Sequence, residues 1–371
     1  MNPIRILHFP GIFTSGGVET VLMNWYRNID RTKVQFDFCV TRSTRCPIDD
    51  EVEALGGRII YIPRIRKEGV VKSIVTIKEV IIDNGPYEAV HIHSVHAGVV
   101  FLMAAWYAGI KKRVYHVHST QDLALSKTRG EKIIECISKR LICKFSSHRL
   151  ACSTDAGRYV YGRESFQVLN NAIDLNRFYP WDEAKKREIR EYFGFSESDI
   201  VVGYVARFVE GKNHELLLKV AERARSASIN MKFLLVGDGD TRTKIEEAIM
   251  ERGLTSYFVI PGFIQETEKV YNSLNIFCIP SKFEGFPLVT LEAQACGLPC
   301  LISDGVPQEV NLGITKVLQE KLCSDASLWL EDLLNLYGKV APDASSIRQC
   351  ITRKGYEITS IVKGLENLYL N

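Results

Sequence analysis

With 371 residues, 46% of them apolar and 25% charged, the chain has the composition of a soluble globular protein of two ordinary domains. No run of 18 apolar residues occurs, so no spanning helix is expected, and the apolar stretch at 4–9 is too short, and too soon followed by Pro10-Gly11, for an export signal. Net charge is +3 but uneven: residues 1–175 carry 24 Lys and Arg against 17 Asp and Glu, or +7, and the remainder 23 against 27, or −4, which points to an anionic partner for the first half.

In chain order, short apolar runs alternate with helical patterns, the signature of α/β units with parallel sheets. Strands are expected over 4–9, 35–40, 57–62, 89–93, 113–117 and 149–152, with helices over 20–28 and from 155. The run 97–110 reads as a buried helix interrupted by Gly98. Residues 127–149 mix bases with Ile133, Ile134, Ile137, Leu141 and Ile142; the first reading is an amphipathic helix with its apolar face in the core, the second a docking surface for an anionic membrane. From 181 to 194 the chain is charged and linker-like, with a helix over 183–192. The pattern then restarts, with strands over 200–206, 232–236, 258–260, 276–279 and 300–302, and the end, 346–370, reads as helical. Two such sets suggest two tandem Rossmann-like domains with a cleft between them: 1–175, 176–350, and a closing helix over 351–371.

The stretch Ser281-Lys-Phe-Glu-Gly-Phe-Pro-Leu-Val-Thr-Leu-Glu-Ala-Gln-Ala-Cys-Gly-Leu-Pro299 sets Glu284 and Glu292 eight positions apart. Glu284 falls on the loop at the carboxyl end of the strand over 276–279, where open α/β sheets bind ligands. Pro287 suits the first turn of the following helix and Gly297 its stop, so Glu292 lies in the early turns. A helix N-terminus favours phosphate, and two carboxylates beside it need other partners, for which sugar hydroxyls serve. Arg207 ends another strand and Lys212 follows five residues later; the two cations can converge on one diphosphate. Gly16-Gly17 opens a helix after the first strand and lets backbone approach a phosphate.

Rival chemistries lack their motifs. After the first strand comes Pro-Gly-Ile-Phe-Thr-Ser-Gly-Gly-Val-Glu, not the Gly-x-Gly-x-x-Gly of a nicotinamide dehydrogenase, and no Walker lysine motif occurs. Ten scattered Cys without a Cys-x-x-Cys pair read as reduced cytosolic thiols. Asp238-Gly239-Asp240 matches Asp-x-Asp but reads as a tight turn rather than a metal motif. His91, His93 and His96 follow one strand and His116 and His118 the next; alternation along each strand sets the paired rings on one face for packing, and a zinc site is the lesser reading.

The Glu-x7-Glu frame with Gly285-Phe286 behind the first Glu and Ala-Cys-Gly-Leu-Pro behind the second resembles the signature of GT-B retaining glycosyltransferases of family 4. Asn171 and Asp174 match the Asn-x-x-Asp that ends the first domain in this family, and the segment from Arg149 and Leu301-Ile-Ser-Asp are closest to a bacterial capsular and exopolysaccharide branch. The resemblance covers roughly residues 4–330. It implies two Rossmann-like domains facing across a cleft, with the last helix crossing back to the first domain. It implies transfer of a sugar from a nucleotide-diphosphate donor, UDP-linked, to a glycan or lipid-linked oligosaccharide. The donor would be held by Gly16, Gly17, Arg207, Lys212, Gly285, Phe286, Leu288, Val289 and Glu292, with Glu292 on ribose and Glu284 on the transferred sugar. His118 would line the sugar site, with His116 as the alternative in that role, and His93 would support the loop behind it. With two cations on the diphosphate no metal or other cofactor is expected, nor any nucleic acid; the expected location is the cytoplasm, peripheral at the inner membrane face. Two other functions share parts of this pattern, a nucleotide-sugar 2-epimerase and a non-catalytic partner subunit. One departure is Pro287, where many relatives carry Gly, so backbone donors must come from Phe286, Leu288 and Val289.

Overall fold

The first sheet has seven parallel strands in the order β3-β2-β1-β4-β5-β6-β7, where β1 is Ile4–Gly11, β2 Val34–Val40, β3 Arg58–Tyr61, β4 Ala89–Ile92, β5 Lys112–Val117, β6 His148–Ala151 and β7 Gln167–Val168. The computed structural model describes residues 2–14, 16–63, 69–93, 97–118 and 128–371; His96, and Lys127 at the start of the basic stretch 127–149, lie outside them. Strand order reverses between β1 and β4, so the loops leaving those two strands diverge at a topological switch point.

Period-two alternation sorts the two faces of this sheet. Leu7 and Phe9 of β1, Val90 and Ile92 of β4, and Tyr115 and Val117 of β5 join Ile77, Ile81 and Phe101 in one apolar core. The alternate residues put His8, His91 and His116 on the other face, with His8 directly opposite His91 in register. Trp25, from the helix Gly17–Asn28, stacks on His91 and His116 there. Tyr369, from the helix Ile358–Leu370, bonds His91 Nδ1 through its hydroxyl at 2.6 Å. That last helix belongs to the first unit, tied also by Lys112 Nζ to Tyr369 O (2.7 Å) and by the Asp30 N–H to Glu366 (2.9 Å).

The second sheet has six parallel strands in the order β10-β9-β8-β11-β12-β13: β8 Ile200–Val205, β9 Met231–Val236, β10 Phe258–Gly262, β11 Ile276–Ile279, β12 Cys300–Ser303 and β13 Val317–Glu320. Its switch point lies between β8 and β11. Two compact units result: residues 1–172 with 358–371, and residues 173–357.

Several expectations need correction. The boundary placed at 350 falls inside the helix Ala344–Arg353, which belongs to the second unit. The helical tail is two helices, broken where Gly355 takes φ 77°, a conformation that ends a helix. The segment 181–194 is not a linker: Arg190 of the helix Glu183–Tyr192 reaches Ser273 O, Asn275 Oδ1, Ser196 O and Asp199 O, which binds that helix into the second unit. The helix Arg129–Phe145, capped by Thr128 and Glu131, exposes Ile133, Ile134 and Ile137 and brings only its C-terminal end, Ile142 with Cys143 and Phe145, to the core, so the first reading of its apolar face holds for that end alone.

Candidate functional site

In the second unit the loops leaving β8 and β11 carry the expected charges. A 3-10 turn over Glu210–Lys212 ends at Asn213, whose left-handed backbone (φ 54°) starts the helix His214–Ser226. Asn213 Nδ2 donates to Pro280 O (3.1 Å), and the Lys282 N–H to Gly211 O (2.8 Å), so the two loops are stitched together. That stitching brings Lys212 Nζ within 2.5 Å of Glu284 Oε1. The same carboxylate oxygen accepts from Ser281 Oγ at 2.7 Å. With its proton given to Glu284, the Ser281 hydroxyl must accept from Tyr204 OH, 2.6 Å away. Tyr204 is buried in β8, and burial, then Glu284, holds its phenol well above the usual range.

Glycines set the backbone of this site. The Glu284 N–H donates to Gly305 O at 2.9 Å, and a Cβ on Gly305 would come 2.3 Å from Lys282 O, so only glycine fits there without a shift. The turn at 237–240 packs on the loop that bears Arg207: the Phe208 N–H donates to Asp238 O, and a Cβ on Gly237 would meet Ala206 O at 2.0 Å. Asp238 itself accepts from the Gly239 N–H and faces Arg242 at 3.8 Å. Arg207 is exposed, and among the described residues its side chain has no hydrogen bond or ion pair to Lys212 or Glu284.

The helix behind Glu284 spans Leu288–Ala295. Pro287 is its N-cap rather than its first turn, and its carbonyl accepts from the Thr290 N–H (3.1 Å). Among the described residues the amides of Gly285, Phe286, Leu288 and Val289 have no acceptor, as at any helix start left open to a ligand. Phe286 stacks on Tyr356, centroids 5.4 Å apart and planes 6° apart. Glu292 is buried, accepts from Tyr271 OH at 2.7 Å, and has its carboxyl pushed up by burial, against that hydrogen bond and the charge of Arg177. A nearby concavity of about 310 Å³, lined by Asp174, Asn176, Arg177, Tyr179, Trp181 and Glu268, holds none of the expected donor-binding groups.

In the first unit, Gly16 is the extended N-cap of its helix, and Glu19 folds back so closely that a Cβ on Gly16 would come 2.7 Å from its Oε2. His118 lies just past β5, half-buried, while His116 is 1% exposed and packed against Trp25 and His91. His93 Nδ1 lies 2.8 Å from His118 Nε2. Ser281, Tyr204 and His8 were not singled out from sequence; Ser281 carries a local signal, a hydroxyl just past a buried strand, whereas the other two depend on strand pairing.

Two family models match along the chain: Glycosyltransferase Family 4 over residues 15–177 and Glycosyl transferases group 1 over residues 185–321. A protein of Bacillus subtilis (strain 168), assigned as the glycosyltransferase EpsF, is 34% identical over 98% of this chain and 96% of its own.

The chain belongs to glycosyltransferase family 4.

It is also similar to the capsular polysaccharide biosynthesis glycosyltransferase CapH of Staphylococcus aureus, 24% identical over 99% of each chain. A third relative, at 24% identity over 82% of this chain and 80% of its own, is the UDP-Gal:α-D-GlcNAc-diphosphoundecaprenol α-1,3-galactosyltransferase of Escherichia coli. Among solved structures, the Anabaena protein Alr3699/HepE in complex with UDP-glucose superposes with TM-score 0.76 at 17% identity, covering 98% of both chains, which places the fold among the GT-B proteins. This family 4 chain is thus a glycosyltransferase of GT-B type with relatives in capsule synthesis, and none of its described helices is long and apolar enough to cross a membrane.

Proposed function

We propose that this glycosyltransferase transfers a sugar, with retention of configuration and without a metal, from a UDP-linked donor to a lipid-linked glycan in capsule or exopolysaccharide synthesis. The observation that carries the reading is the Lys212–Glu284 pair at the β8/β11 switch point, beside the open amides at 285–289. A cation and open amides suit a diphosphate; a carboxylate suits sugar hydroxyls. Arg207, exposed on the neighbouring loop, supplies the second cation, and cations in this role stabilise departing charge as a metal would. Glu292 takes the ribose, and His118 and the Gly16-Gly17 helix start serve the sugar and acceptor from the first unit. Acceptor attack on the face from which the diphosphate leaves requires no side-chain nucleophile. The Anabaena neighbour's UDP-glucose and the E. coli relative's diphosphoundecaprenol acceptor support the choice of substrates.

Peripheral membrane contact rests on the helix Arg129–Phe145. Ile133, Ile134 and Ile137 are exposed, and Arg140 and Lys144 follow Ile137 at helical spacings of three and seven, which sets bases beside the isoleucines.

A thermal-shift panel of UDP, GDP, ADP and their sugars, followed by transfer with EDTA present, tests the donor half; stabilisation by UDP and persistent turnover are expected. Turnover abolished by EDTA and restored by Mn²⁺ would overturn the metal-free mechanism, and an inverted anomer in the product would overturn retention. Vesicles with anionic lipid should capture the protein at low salt, and Ile133→Asp with Ile137→Asp should release it. Capture that ignores both the substitutions and salt would remove this helix from the proposal.

A further inference from the structure

The loop that leaves β1 reaches the Gly16-Gly17 helix start through a backbone turn that few residues tolerate. Phe13 has φ 56°, in the left-handed region, where a bulky side chain is strained. Its ring is buried and stacks on Phe38 of β2, with centroids 4.6 Å apart and planes 13° apart, while the preceding Ile12 is exposed. The turn drives one apolar residue inward and leaves its neighbour outside, three positions ahead of Gly16. Strain of this kind persists only where the surroundings over-determine it.

Arg42 supplies that restraint. Just past β2, its Nε donates to Phe13 O at 3.0 Å, its Nη1 to Thr44 O and its Nη2 to Asp49 Oδ1. Asp49 is fixed in turn through its other oxygen, which accepts from the Cys46 N–H at 3.1 Å and from Tyr61 OH at 2.7 Å. The three acceptors of Arg42 belong to three segments: the loop after β1, the loop after β2 and the helix Pro47–Ala54. A planar fork with donors in fixed directions can grip all three, whereas a lysine ammonium is a mobile point charge. The strand ladder does not reach this far. Val40 pairs with Gly11, and the Thr41 N–H donates to Gly11 O at 2.8 Å. Beyond that, among the described residues, the Phe13 carbonyl is met by Arg42 and, weakly, by the Cys46 thiol at 3.8 Å.

Two other uses of this arginine fail. Its side chain is 5% exposed, and Nε and both terminal nitrogens are already taken, so it is not itself a ligand for a phosphate. Stability alone does not account for it either. A buried ion pair is seldom more stabilising than apolar residues of the same volume, since both charges lose water.

We propose that Arg42 is a positioning residue: with Asp49 behind it, it holds the loop after β1 in the turned-in Phe13 conformation and so fixes where the Gly16-Gly17 helix start presents its backbone. The restraint follows from the first unit alone; that this helix start serves the sugar and acceptor rests on the function proposed above.

The test uses the full chain with Arg42→Lys and with the double change Arg42→Met and Asp49→Asn. The double variant removes the clamp without stranding a buried charge, and its Asn keeps an oxygen for Tyr61 and Cys46. Chymotrypsin cleaves after phenylalanine and so reads the loop directly. Under native conditions both variants should be cut at Phe13 about tenfold faster than the parent, with residues 14–371 as the first product by mass and the urea midpoint little changed. Turnover, read as UDP release from the UDP-sugar that the thermal-shift panel selects, should fall about tenfold. Affinity for free UDP should change less than about twofold, because the proposed diphosphate site lies in the second unit. Cleavage at Phe13 as slow as in the parent overturns the restraint. Parent-level turnover with Phe13 freed overturns the positioning role, as does a urea midpoint that falls in step with turnover. If the double variant does not fold, Arg42→Lys decides on the same readouts. Gly17→Val separates this inference from the reading it rests on. A Cβ at Gly17 meets nothing within 4 Å, so that variant keeps its fold. Turnover should fall there too; parent-level turnover would take the helix start out of the reaction while the cleavage result at Phe13 still decided the clamp.

Discussion

The charged cluster of the second unit and the histidine cluster of the first solve the same problem, fixing polar side chains near a switch point, by opposite means. Around Lys212 and Glu284 the groups are charged, partly exposed and held by loop stitching through Asn213 and Gly305. Around His8, His93 and His118 they are neutral, held by strand pairing and lidded by Trp25 and Tyr369. A partly hydrated ion pair can exchange its partner for a ligand at modest cost. A buried run of rings cannot rearrange without leaving a polar group unpaired. The first arrangement suits a group that must release and recapture a diphosphate, the second a group that must stay put.

The largest effect that separates the two regions is on stability in acid. The five rings, four of them buried and His118 half-buried, have folded-state values depressed below the unfolded value of about 6.5. Between the two values the unfolded chain binds more protons, so their contribution is present above about pH 6.5 and is lost as pH falls toward about 3, the folded value of His8 and His118. The loss grows as pH falls below about 6.5, and because the rings interact it belongs to the cluster rather than to any one ring. The histidine of the second unit, His214, pushed down to about 4 by burial and then by Lys212, acts in the same sense, while the depressed carboxyls of Asp199 and Glu320 act only below the ordinary carboxylate range. Urea unfolding read by pulsed hydrogen exchange on peptides of each unit, at pH 7.5 and 5.5, should show the first unit falling far more than the second. Equal shifts would mean that the rings take up protons without loss of packing.

The ion pair sharpens the comparison through two substitutions. Lys212→Ala should weaken UDP-sugar and free UDP alike, by about ten- to a hundredfold, because both carry the diphosphate and the lost contact is charge-assisted, about 1.5–3 kcal/mol. Glu284→Ala should cut turnover about a hundredfold yet bind UDP as well as the parent or better, since the competing carboxylate 2.5 Å from Lys212 is gone. Calorimetry with UDP on both variants, beside a transfer assay, reads the contrast. Equal loss of UDP affinity would mean that Glu284 does not serve the sugar alone. Because the two side chains touch, the double variant should be non-additive.

Much of the charged region was legible from sequence, because each of its parts is local. Arg207, Lys212 and Glu284 each follow a buried strand within a few residues, and that position fixes the end of the sheet they occupy. The contact between Lys212 and Glu284 was not legible, since it spans 72 positions and depends on Asn213 and Gly305 to bring two loops together. The histidine cluster was less legible still. Each His pair could be placed on one strand face, but His8 sits 85 positions from His93, and only the order β1-β4-β5 joins them. The helix Arg129–Phe145 shows the limit of periodicity: the pattern identifies an amphipathic helix, yet whether isoleucines or bases face outward depends on neighbours that the pattern does not contain.

The smallest effect concerns Glu292, the one member of the charged region built like the histidines. It is 4% exposed, bonded to Tyr271, and burial raises its carboxyl above the usual range. A folded value above the unfolded one means that ionisation opposes folding, and the penalty grows as pH rises through the folded value. Glu292→Gln removes that penalty and keeps an oxygen to accept from Tyr271. Stability at pH 8 should therefore hold or rise slightly, by about 1 kcal/mol or less. If Glu292 binds the ribose, exchanging a charged acceptor for a neutral one should cost UDP only about three- to tenfold in affinity, with kcat at saturating donor nearly unchanged. Thermal unfolding at pH 6 and 8 and a UDP titration make the test. A variant that is clearly less stable at pH 8 would show that the ionised carboxylate has a cationic partner stronger than Arg177, and unchanged UDP affinity would take the ribose away from this residue.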